Sequence, residues 1–137
     1  MAGADAQASD NDTLRSGFIL KGRQATYQIN SVVKRGGFGI IYSATPSDWS
    51  EEAERNGDPK KYGYRVAIKE FFWPPVARRR NDGFVEAVDT ANQQDFAAAR
   101  ESFDREAELL TRLKSDYVVR VFDRFAINGT TYYAMEY

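Results

Sequence analysis

The chain has 137 residues, 42% hydrophobic and 28% charged, with 19 basic and 20 acidic side chains and a net charge of −1. That length fits one domain with a modest core, and the charge balance sets up no bulk field toward nucleic acid or an anionic membrane. The sequence has no Cys and no His, which removes disulfides, thiolate nucleophiles, Cys-bound metals, the usual general base and the commonest zinc ligand. Chemistry must then come from Lys, Asp, Glu, Tyr or the backbone. No apolar run reaches the length of a membrane span, and the N-terminus lacks a signal-peptide core.

In chain order, residues 1–13 (MAGADAQASDNDT) are small, polar and acidic and predict a disordered tail. Residues 14–25 are ambiguous, with a short strand suggested at Phe18–Leu20. Tyr27–Val33 reads as a strand, and Gly39–Thr45 as its hairpin partner. Residues 46–63 are polar and rich in Glu, Asp, Lys, Gly and Pro, and predict an exposed insertion. Residues 64–72 (YRVAIKEFF) read as a strand. Residues 73–83 (WPPVARRRNDG) predict no regular structure, because two prolines interrupt them. Phe96, Ala99, Phe103, Ala107, Leu110 and Leu113 recur at helical spacing. Asp95 suits the start of that helix, and Arg112 and Lys114 suit its end. Residues 117–127 and 130–137 are strands about an Asn128-Gly129 turn. The order is β-β-β-α-β-β.

Between the first two long strands lies Gly36-Gly37-Phe38-Gly39. Such a tip leaves backbone N–H groups unshielded and suits a phosphate-bearing ligand, although a lone Gly-rich hairpin is as easily a β-bulge. Two charges sit on faces that should point inward. In RVAIKEF, alternation puts Lys69 with Ala67, opposite Val66 and Ile68. On the helix, Glu106 lies three residues after Phe103 and four before Leu110. Single charges there would snorkel to water, but a Lys and a Glu can also resolve their burial by pairing. The Gly-rich tip favours pairing, since a Lys held by a Glu is a fixed cation for phosphate.

Taken in order, YQINSVVKRGGFGIIYSA, VAIKEFFWP, FDREAELLTRL and VVRVFDRFAINGTTYYAMEY resemble the N-terminal lobe of protein kinases, most of all bacterial Ser/Thr kinases. The resemblance covers about residues 16–137. It implies an α+β fold with a five-stranded antiparallel sheet and one main helix, the family's helix C. The lobe would span 14–137, with insertions near 46–63 and 74–94. It would be truncated at the hinge, the C-lobe lying beyond this segment.

The resemblance also implies the site. The family's glycine pattern falls on Lys34 to Gly39, with Lys34 in place of the first glycine, Gly36 and Gly39 as the second and third, and Gly37 between them. Phe38 is the aromatic at the loop tip. Val33, Ile41 and Ala67 would line the adenine pocket, with Met135 at its back and Glu136 and Tyr137 starting the hinge. Lys69 would touch the α- and β-phosphates, with Glu106 as its helix partner. ATP with Mg²⁺ is the implied cofactor, and the Mg²⁺ ligands and catalytic base belong to the C-lobe. Asp82-Gly83-Phe84 is not the family's metal motif: its order is wrong and it precedes the helix. The chain alone is expected to be inactive and cytoplasmic, to reach a protein substrate only through the C-lobe, and to self-associate. A kinase-like regulatory module is the second reading; Lys34 argues mildly for it and the near-complete set of nucleotide residues against it. Nucleic-acid binding through Trp73 and Arg78–Arg80 is not expected, because basic loop triplets are usually solvated.

Overall fold

Alternating apolar residues form the strands, and the computed structural model, which describes residues 7–113 and 119–137, joins them into a curled antiparallel sheet. In chain order the elements are β1 (Ile19–Lys21), β2 (Thr26–Arg35), β3 (Gly39–Ser47), α1 (Glu51–Arg55), α2 (Asp58–Tyr62), β4 (Val66–Phe71), β5 (Ala77–Arg79), β6 (Val85–Ala87), α3 (Gln93–Arg112), β7 (Val121–Ile127) and β8 (Thr130–Glu136). The sheet order is β1-β2-β3-β4-β8-β7, and β5–β6 form a separate ribbon. The α+β class agrees with the sequence reading; the strand count does not. Among the described residues the main sheet has six strands rather than five, because β1 pairs with β2 along Ile19–Lys21.

The expectation that residues 73–83 hold no regular structure is also corrected. Pro74 and Pro75 precede the strand instead of interrupting it. The Val76 and Ala77 amides turn back onto the Trp73 carbonyl at 3.0 and 2.9 Å. Gly83, at φ +93°, then returns the chain so that Arg79 pairs with Val85. Within residues 46–63, Ser50 caps α1 by accepting the Ala53 N–H at 3.0 Å. Trp49 and Tyr62 cover Phe122 of β7, with ring centroids 5.7 and 4.1 Å away. The described part of the expected tail is folded too: Ser9 and Asp12 form a capping box on a 3-10 turn at Asp10–Asp12, and Ala8 is buried. The predicted strand start at 117 and helix end at Lys114 lie outside the described residues.

Register assigns the two faces of the sheet. Tyr27, Ile29, Ile40, Tyr42, Ala44, Val66, Ile68, Phe125, Tyr132 and Ala134 point into the curl and are buried. Tyr27 stacks on Phe125 from the far side of the sheet, with centroids 5.7 Å apart. The Asp123 carboxylate closes the curl by accepting the Tyr27 hydroxyl at 2.6 Å and the Gln24 N–H at 2.9 Å. The other face carries Phe71, Lys69 and Tyr133, and α3 packs on it through Phe96 and Phe103. Asn128 and Gly129, both at positive φ, form the tight β7–β8 turn that Asn-Gly predicts. A Cβ on Gly129 would lie 2.2 Å from the Val85 carbonyl, so this turn rests directly on the β5–β6 ribbon.

Candidate functional site

The Gly-rich segment forms the tip of the β2–β3 hairpin, where the Gly36 N–H donates to the Gly39 carbonyl at 2.8 Å around Gly37 and Phe38. The tip explains only part of the glycine requirement, since Gly36, Gly37 and Gly39 are not among the residues at positive φ. Gly39 is required by close approach. A Cβ there would stand 2.9 Å from the Glu70 carbonyl and 3.2 Å from Lys69 Cε, so the hairpin lies flat against the strand that carries Lys69. Phe38 stays 60% exposed, yet its carbonyl accepts the Phe72 N–H at 3.0 Å and its ring packs against Trp73 with centroids 5.4 Å apart. Trp73 as the seat of the tip was not legible in the sequence; its one signal is an aromatic directly after the Lys69 strand.

Ile41 pairs with Lys34 on one side and with Lys69 on the other. Lys69 in turn pairs with Tyr133, and Ala67 with Met135. Ile41, Ala67, Lys69 and Met135 therefore share the face on which α3 covers Phe71 and Tyr133. Val33 sits at a register irregularity in β2 and is exposed. Glu136 and Tyr137 are exposed, and Tyr137 stacks on the Arg65 guanidinium at 4.4 Å. Of the expected site residues, Ile41, Ala67, Lys69 and Met135 thus fall on one face of the sheet, while Glu136 follows Val66 onto the other.

The expected Lys69–Glu106 pair is not formed. Among the described residues the ion pairs of α3 join Arg105 to Glu101, Arg112 to Glu108, and Asp104 to Arg124. Glu106 is exposed. Phe103 takes the inward position, stacked on Tyr133 at 5.3 Å, and Lys69 Nζ lies 5.7 and 5.8 Å from the centroids of these two rings. The reason is geometric: three residues along a helix bring Glu106 about 60° from Phe103, at the edge of the apolar stripe. A slight rotation then trades the carboxylate for the ring. Glu106 is still close enough to act on Tyr133: burial first, and Glu106 second, push that phenol up to about 12.

On the opposite face, sequence reasoning missed Glu70. It is fully buried, and its carboxylate accepts the Tyr42 and Tyr132 hydroxyls at 2.8 and 2.5 Å. It also pairs with Arg79, whose side chain is 4% exposed. Arg79 donates further to the Asp12 carbonyl at 2.6 Å and the Gly83 carbonyl at 2.8 Å. Burial works against the Arg79 charge, but Glu70 outweighs it and holds the guanidinium above its ordinary value. The Tyr42 hydroxyl, raised by burial and then by Glu70, accepts the Leu14 N–H at 3.1 Å.

No described helix is long and apolar enough to cross a membrane. No family model and no curated protein sequence matches the chain. Among solved structures, the chain is similar to the one described as "PpkA-294 apo form", with a TM-score of 0.74 and 25% identity over 92% of this chain. The match spans 39% of that longer chain. The architecture, a curled antiparallel sheet with one main helix, is thus similar to that of a kinase fragment.

Proposed function

We propose that this chain is the ATP-binding small lobe of a Ser/Thr protein kinase, one that transfers the γ-phosphate of ATP to protein hydroxyls. The observation that carries this reading is the flat packing of Gly39 against Glu70 and Lys69, on a fold similar to PpkA-294, a bacterial Ser/Thr kinase fragment. A backbone loop and one cation on a shared strip of sheet suit the phosphates of a nucleotide. Lys69 would meet the α- and β-phosphates; Gly36, Gly37, Phe38 and Gly39 would cover them; Val33, Ile41, Ala67 and Met135 would flank adenine, and Glu136 and Tyr137 would hold its edge. Mg²⁺, the catalytic base and the protein substrate would be held by residues outside this chain, in the cytoplasm.

Two outcomes test the reading. The full-length protein should incorporate labelled γ-phosphate from Mg-ATP into protein, and Lys69→Met should abolish the incorporation. The chain alone should transfer nothing and bind Mg-ATP no tighter than about 0.1 mM, because only half of a site is present. It should also self-associate in a light-scattering concentration series, through exposed Val33, Phe38 and Tyr137. Micromolar ATP binding by a strictly monomeric chain counts against both expectations. One observation favours a kinase-like module without catalysis: Glu106 is exposed and Lys69 lies on aromatic rings instead. A full-length protein that binds Mg-ATP but never transfers phosphate would select that reading.

A further inference from the structure

Residues 8–14 form an arm that reaches the candidate site from behind. Ala8 and Leu14 are buried in the core, and Asp10 pairs with Arg35, the residue just before the Gly-rich tip. The Asp12 carbonyl accepts Arg79 Nε, and the Leu14 N–H is taken by Tyr42. Both contacts lead to the Glu70 carboxylate. Glu70 follows Lys69 directly in β4, and its own carbonyl is the atom that Gly39 packs against. One residue therefore joins the arm to both halves of the candidate phosphate site. Arg79 makes this possible by its planar fork, which spans three acceptors on three segments: the arm, the Gly83 turn and the sheet. The seam is not tightly filled. A cavity of about 530 Å³ runs along it, lined by Asp10, Leu14, Phe18, Arg79 and Gly83.

We propose that the N-terminal arm is an intramolecular positioning element, acting through Arg79 and Glu70 to hold Lys69 and Gly39 in phosphate-binding register. The inference rests on the nucleotide reading above and adds control of that site from the opposite face of the sheet. Arg79 is a positioning residue: its side chain is 4% exposed on the far face of the sheet and acts through Glu70, the neighbour of Lys69 in β4.

The test uses the full-length protein, Mg-ATP as the probe, and temperatures well below the melting transition. Removing residues 1–12 should weaken Mg-ATP binding about tenfold or more, and Arg79→Lys should weaken it severalfold. Lys at that position still neutralises Glu70 but cannot span all three acceptors. In a Lys69→Met background both losses should shrink to the part carried by Gly39, whereas a merely structural role predicts fully additive losses. Additive losses, or wild-type affinity after arm removal, overturn the proposal. Hydrogen exchange without nucleotide gives an independent readout. Arm removal should speed exchange at residues 66–71 and 34–40, and unchanged exchange there overturns the coupling even if the arm-deleted protein proves less stable. If the wild type binds no Mg-ATP, the nucleotide reading itself fails, and the exchange comparison still decides whether arm and strand are coupled.

Discussion

Lys69 and Glu70 are neighbours in one strand and share almost nothing else. Glu70 faces the curl, is wholly buried, and has both oxygens occupied by Tyr42, Tyr132 and Arg79. Lys69 faces α3, is half-buried, and rests on two aromatic rings at cation–π distance. A charge removed from water must be fully compensated or it destabilises the fold. Glu70 meets that demand with a fixed set of partners. Lys69 avoids it by staying near solvent, and so keeps donors free for a ligand. Glu70 is a charge that organises the fold, and Lys69 is one the fold leaves within reach of solvent.

Breaking the Glu70 side should have the largest effect. Arg79→Ala leaves a buried carboxylate without its cation and should cost about 3–5 kcal/mol in denaturant unfolding. Next comes the contact that joins the two faces. Gly39→Ala drives a methyl group against the Glu70 carbonyl, a backbone atom that cannot swing aside, and should cost about 1–3 kcal/mol. Lys69→Met should change stability by about 1 kcal/mol or less, since a half-exposed cation over a ring contributes little. A loss as large as that of Arg79→Ala would erase the distinction between the two charges.

A further buried carboxyl, Asp123, sharpens the comparison, because among the described residues no cation pairs with it. Burial pushes Asp123 above the ordinary carboxylate range, against the hydrogen bond from Tyr27 and those from backbone amides. Its folded-state proton affinity exceeds that of the unfolded chain. The stability this group contributes is therefore complete below its ordinary 3.8 and is lost as pH rises through the folded value. Asp123→Asn removes the titration. Melting temperatures of the two proteins, measured from about pH 4 to 7, should shift progressively in favour of the variant. A constant difference across that range would show that Asp123 does not titrate in this way.

Much of this was legible in the sequence, because alternation carries facing directly. VAIK placed Lys69 opposite Val66 and Ile68, and Asn128-Gly129 announced its turn. The same alternation put Glu70 with Val66 and Ile68, so a carboxylate on an apolar face was visible as a signal. Its partner was not, since Arg79 lies beyond two prolines and returns only through the turn at Gly83. Helical spacing was less decisive for Glu106. Its angular distance from Phe103 is small enough that the packing of Phe103 on Tyr133, which no local pattern encodes, chooses which of them faces inward. The strand at Ala77–Arg79 was hidden because its partner, β6, is equally short and each is regular only in the presence of the other.

The closure at Asp123 also sets the order in which the chain can fold. The Gln24 N–H meets its acceptor 99 residues further along, and Tyr27 meets the same carboxylate 96 residues on. Gln24 lies in the β1–β2 turn and Tyr27 in β2, whereas their shared acceptor lies in β7. Until β7 exists, the inward faces of β1 and β2 have no opposite wall, and hairpins formed early gain little from them. Loop closure over such separations is paid in entropy before any contact rewards it, which places this domain among slow, late-committing folders. During synthesis the glycine-rich hairpin must therefore wait, with apolar surface open to other chains, for residues near the far end of the segment to arrive.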